Sequence, residues 1–142
     1  MAKIHKDFHG ALSCGFAFVA ERFGKDELER YLRRVGENMF GRLIDEIKGK
    51  GLAALEEHWN EVFSLEEGDF SVSRDDDREI ILRVNRCPAL EHMRKTGYPV
   101  YEGFCEQCRV INLAIAEKTG LKAETRSDRE DMKCVQIFRR KK

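Results

Sequence analysis

Apolar residues recur along the first half of the chain at the three-to-four residue spacing of an amphipathic helix, and along two later stretches they alternate with polar ones. Leu12, Gly15, Phe16, Val19 and Phe23 define a first helix, with Gly24 as its stop. Asp26 is placed as an N-cap, and Leu28, Leu32, Val35, Met39, Leu43 and Ile47 then form one stripe, which predicts a single long helix ending near Gly49 or Gly51. Leu55, Trp59 and Val62 mark a third helix, with Glu56, Glu57, Asn60 and Glu61 on its wet side.

After Gly68 the period falls to two. Phe70 and Val72, a turn at Asp75, Asp76 and Asp77, and then Ile80, Leu82 and Val84 predict a hairpin with one buried face. The three acids lack the spacing and the glycine of a calcium loop, and read as a solvated turn. Pro88 suits the first position of a short helix carrying Ala89, Leu90 and Met93, closed by Gly97 and Pro99. Phe104, Cys108, Ile111 and Ile115 share one face of a further helix that stops at Gly120. Leu121, Ala123 and Thr125, then Cys134 to Phe138, form a second hairpin. Helices, hairpin, two helices and hairpin make an α+β fold, with one antiparallel sheet covered by helices in a single domain over residues 1–142.

The 142 residues carry 26 basic and 26 acidic side chains, so the net charge is zero. That balance gives no long-range attraction to nucleic acid or to an anionic membrane, and neither is expected as a partner. The apolar run from Ala11 to Ala20 is too short to span a bilayer and flows into the first helix, which predicts a core helix and not an export signal. Five cysteines without such a signal fit a reducing cytoplasm, where thiols are free, catalytic or metal-bound.

Cys87 stands directly before Pro88 and therefore at a helix N-cap, where backbone N–H groups and the helix dipole depress a thiol pKa. It is a nucleophile or ligand, or else a small apolar residue packed at a strand end. Cys105 and Cys108 form a CxxC inside a helical pattern, off the turn that zinc knuckles use. Cys134 opens the last strand. If that strand lies beside the one ending at Cys87 and the following helix lies over it, these four thiols converge, and zinc becomes a candidate cofactor. Cys14 falls among small and aromatic residues and is assigned to the core.

His92, on the short helix after Cys87, could polarise that thiol. His58 borders the Leu55, Trp59 and Val62 stripe, and with Trp59 and Arg86 it makes a candidate set of substrate contacts, Arg86 being the arginine best placed to hold a carboxylate. His5 and His9 lie near the terminus and are left out of the site. There is no Gly-rich phosphate loop, serine elbow or paired-histidine zinc motif.

The order of a helical first half, a strand running into Cys87-Pro88, a helical Cys105 and a final strand opened by Cys134 resembles the L-2-amino-thiazoline-4-carboxylic acid hydrolase family. It is similar also to the 4-vinyl reductase domains, small α+β modules that bind small molecules and, in some members, zinc. The resemblance implies that Cys87, Cys105 and Cys134 correspond to the family's cysteines, with Cys108 extra. Glu124 matches an acid of the zinc pattern, while Ser127 stands where that pattern has a thiol. The implied activity is hydrolysis of a cyclic amidine-like carboxylic acid, with Cys87, His92 and Cys105 catalytic. The alternative is a non-catalytic module that binds zinc or a small molecule, and a homodimer through the helical half stays open.

Overall fold

The structure is a computed structural model, described for residues 5–141. Four helices come first, α1 (Phe8–Phe23), α2 (Lys25–Asn38), α3 (Gly41–Lys50) and α4 (Leu52–Leu65). A hairpin of β1 (Asp69–Asp75) and β2 (Glu79–Arg86) follows, then α5 (Pro88–Thr96), α6 (Glu106–Thr119) and a second hairpin of β3 (Leu121–Asp128) and β4 (Lys133–Arg140). The strands form one antiparallel sheet in the order β1-β2-β4-β3, so the class is α+β as the periodicities predict.

The expected long second helix is two. Met39 is 77% exposed, and α3 starts afresh at Gly41. The break lets one apolar stripe serve two cores. Leu28 and Leu32 pack with Phe16, Leu90, Met93 and Phe104, whereas Leu43, Ile44 and Ile47 pack with α4 and the sheet. Gly36 lets α2 approach α6 closely, because a Cβ there would lie 2.9 Å from the Ala114 Cβ and 3.1 Å from the Ile111 carbonyl oxygen.

Caps and phase also depart from expectation. Gly24, at φ 93°, both closes α1 and caps α2, a conformation that costs a glycine little, and Asp26 lies inside the first turn. The buried side of α1 runs through His9, Ser13 and Phe16, which turns Cys14 outward to solvent and leaves Phe23 exposed. Ser13 sits where core packing was expected of Cys14. Its hydroxyl accepts from Tyr101 N–H (2.8 Å) and donates to the Pro99 carbonyl (3.3 Å), tying α1 to the segment before α6.

The acidic turn is more than solvated. Asp77 Oδ1 accepts from the Leu52 N–H at 2.8 Å, so the β1–β2 turn caps the start of α4. Gly51, at φ 73°, has to be a glycine, since a Cβ there would fall 2.2 Å from Asp77 Oδ1. Arg140 holds the other carboxylate oxygen at 2.5 Å, and the Leu52 N–H, ahead of Arg140, keeps the Asp77 carboxyl below its ordinary value.

Register carries the sheet's covered face toward the site. Ile80 faces Phe138, Leu82 faces Gln136 and Val84 faces Cys134, while Ser127 lies opposite Cys134 on the other side. Asn112 of α6 donates to Gln136 Oε1 (2.7 Å) and to Thr125 (3.3 Å), and Gln136 in turn donates to the Cys134 sulfur at 3.6 Å. This buried polar ladder fixes α6 over β4 and ends on a thiol. No helix among the described residues is long and apolar enough to cross a membrane.

Candidate functional site

Two helices begin at one end of the sheet, and each is N-capped by a cysteine. Cys87 caps α5 with extended backbone (φ −68°, ψ 118°), set by Pro88 behind it and by its own N–H donating to the Met132 carbonyl at 2.7 Å. Cys105 caps α6, so the CxxC straddles a helix start, with Cys108 in the first turn, and does not lie in mid-helix as the spacing suggested. Cys134 arrives from β4. Together Cys87, Cys105, Cys108 and Cys134 line a cavity of about 160 Å³ that Phe63 and Phe104 also wall. The sequence condition for convergence, the last strand beside the strand ending at Cys87 with a helix over it, is met.

The same cavity is lined by two residues that the sequence did not select. His9 of α1 is 8% exposed, and its Nε2 donates to Glu66 Oε1 at 2.5 Å. Glu66 is the residue that ends α4. Among the described residues, His9 Nδ1 is the one buried side-chain nitrogen or oxygen without a hydrogen-bond partner. Such an atom costs free energy unless something satisfies it. A signal for His9 was available, since His9, Ser13 and Phe16 share a helical face, but the partner lies 57 positions away and has no local signature. Lys133 and Ser127 stand at the same wall, where β3 turns into β4.

Burial decides the electrostatics of the thiols. It pushes Cys87 up, outweighing the Leu90 and Ala89 N–H groups that pull it down, so the depressed pKa expected from its N-cap is corrected. Burial, ahead of the neighbouring Cys87, also raises Cys105, with Arg129 and Ser127 acting against it. Cys108 is raised well above the usual thiol range, and Cys134 to about 11, both chiefly by burial. All four are thiols at neutral pH.

The other candidates fall elsewhere. His92 Nε2 donates to Asp7 Oδ1 at 2.8 Å beside Tyr98, which takes it away from Cys87, and the His92 contact is the main reason the Asp7 carboxyl lies low. Arg86 pairs with Glu91 at 2.6 Å and is half exposed outside the cavity. Trp59 is core, its ring 5.9 Å from that of Phe138. His58 lines a different cleft between α3 and α4, edge-on to Phe40, where burial lowers its pKa. Glu124 is paired with Arg126. A further cleft between α2 and α6 is larger than the thiol cavity but walled by charged side chains such as Lys25, Glu29 and Arg109.

Among the described residues, no three histidine, cysteine or acidic side chains are grouped so as to hold a metal ion. The four thiols share one cavity, and among the described residues they are not grouped as a metal-ligand set. No family model matches the chain, and no curated protein matches it.

Proposed function

We propose that the chain is a small-molecule-binding module whose ligand is a single-ring compound held among protonated thiols. The convergence of four cysteines and the His9–Glu66 pair on one cavity of about 160 Å³ carries the reading. An apolar cavity of about 150 Å³ accommodates benzene, so one ring is the size that fits. Buried, protonated thiols make a soft and weakly polar wall. His9 Nδ1 offers one hydrogen bond, and Lys133 offers a charge to an anionic substituent. The resemblance to 4-vinyl reductase domains points the same way, and free thiols suit a reducing cytoplasm.

Titration of the reduced protein with benzoate, phenol and 2-aminothiazoline-4-carboxylate tests this, read by melting temperature and by the rate at which a thiol reagent labels Cys87 and Cys105. A ligand that raises the first and slows the second supports the module. If all three leave both readouts unchanged, the reading fails.

Hydrolysis of a cyclic amidine-like acid is the second reading, favoured by the buried His9–Glu66 pair. A carboxylate that orients an imidazole is the arrangement used to take a proton from water. Water would bond to the amidine carbon as its proton passes to His9 and the C=N electron pair moves onto the ring nitrogen. Collapse of that adduct would break the bond between carbon and ring nitrogen, the proton returning from His9 to the departing amine, while Cys87, kept protonated by burial, would line the ring. Ring opening that is lost in His9→Gln and kept in Cys87→Ala supports it, whereas no ring opening by the wild type refutes it. A homodimer would cover the exposed Phe18 and Phe23 of α1, which sedimentation at two concentrations checks.

A further inference from the structure

Cys105 and Cys108 are both free and both line the cavity, and they differ in position in a way that suits successive steps of one reaction. Cys105, at the N-cap with near-helical backbone (φ −71°, ψ −11°), precedes Cys108 by three positions at the start of α6. Helix geometry puts the two Cα atoms about 5 Å apart. That lies inside the span of roughly 4.4–6.8 Å that a disulfide bridges. At a helix start the first N–H groups have no partner within the helix, so the local twist needed to bring the sulfurs together breaks few backbone bonds.

We propose that Cys105 and Cys108 are an oxidisable dithiol, converted by a peroxide to a disulfide across the first turn of α6. The Cys105 sulfur attacks one peroxide oxygen, the S–O bond forms as the O–O bond breaks, and the leaving oxygen departs as water, giving a sulfenic acid. The Cys108 sulfur then attacks the Cys105 sulfur, the S–S bond forms, the S–O bond breaks, and a second water leaves with the remaining thiol proton. Two electrons pass from the two thiols to the peroxide, and one peroxide becomes two waters.

Cys105 comes first because it is the less enclosed of the two, and because Arg129 and Ser127 favour its thiolate. Cys108 has only neighbours that disfavour charge and serves as the resolving thiol. Oxidation removes two of the four thiols from the cavity wall. The proposal uses the same cavity as the binding reading but needs no ligand, so it stands or falls separately.

The sequence makes the test direct. Trypsin releases residues 96–109 as one peptide containing Cys105 and Cys108 alone, while Cys14, Cys87 and Cys134 each fall on other peptides. Reduced protein is treated with hydrogen peroxide, alkylated and digested. The expected result is a peptide 96–109 that has lost two hydrogens and takes no alkyl label, and that regains both labels after dithiothreitol. In Cys108→Ser the reaction should stop at a sulfenic acid on Cys105, trapped by dimedone. A disulfide joining two different peptides, or a peptide 96–109 that stays fully alkylated, overturns the proposal. The wild-type map decides the matter even if the variant does not fold.

Discussion

His9 and Glu66 are 57 positions apart in the chain and 2.5 Å apart in the fold, each side chain about one-tenth exposed. The bond ties the first turn of α1 to the end of α4. Removing one partner leaves the other buried and unpaired, so Glu66→Ala or His9→Ala should each cost about 3 kcal/mol. The double variant His9→Ala, Glu66→Ala should cost less than the sum of the two single variants. Urea unfolding of the three proteins checks this, and additive losses would refute the coupling.

Asp77→Ala removes the cap on α4 and should cost about 1 kcal/mol at neutral pH. Its folded pKa is lowered from 3.8, so the stabilisation is present above that value and is lost as pH falls through the folded pKa. The gap between wild type and variant should accordingly close below about pH 4. Urea unfolding at several pH values would show it, and a constant gap would contradict the assignment.

The buried thiols give the opposite dependence. Their folded pKa values lie above the ordinary value of 9.0, with Cys134 at about 11, so they favour the folded state below pH 9 and that contribution is lost as pH rises through the folded values. Stability should fall between about pH 9 and pH 11, and fall less steeply in Cys134→Ala. Equal slopes for the two proteins would count against burial as the cause.

Two glycines in helices should respond with opposite sign. Gly36→Ala pushes a methyl into Ala114 and the Ile111 carbonyl, and should cost about 1–3 kcal/mol by forcing α2 off α6. Gly49→Ala meets nothing within 4 Å and should gain up to about 1 kcal/mol from helix propensity. Melting temperatures report both.

At neutral pH a thiol reagent should label Cys14 first, because it alone of the five cysteines is exposed and the other four are partly buried. Cys14→Ser should abolish the fast phase and leave the slow ones intact. A fast phase that survives the substitution would mean that the cavity is more open than the structure places it.

The strands, the Cys87-Pro88 helix start and the α+β order were legible because period-two alternation and a proline at N1 act locally. The break at Met39 and Phe40 was not, since an apolar stripe keeps its spacing whichever core each residue enters. Ser13 and Cys14 differ by one helical step, and only the packing of α1 against Tyr101 and Phe104 sets which faces inward. Convergence of the thiols followed from a condition on strand order that the chain satisfies. The thiol pKa values did not follow, because an N-cap is read from sequence while the burial that overrides it depends on residues far along the chain. His9 was passed over for the same reason, its partner being a distant helix end.

Cys87 packs against both apolar clusters, the one under the sheet and the one between α1, α2 and α5. The cavity beside it lies on the seam between them, lined by Phe63 from the one and by Leu90 and Phe104 from the other. A molecule filling that seam would touch both halves at once and act as mortar between them. Its binding energy would count toward both clusters together, and the sharpness of the unfolding transition, beyond its midpoint, would report occupancy.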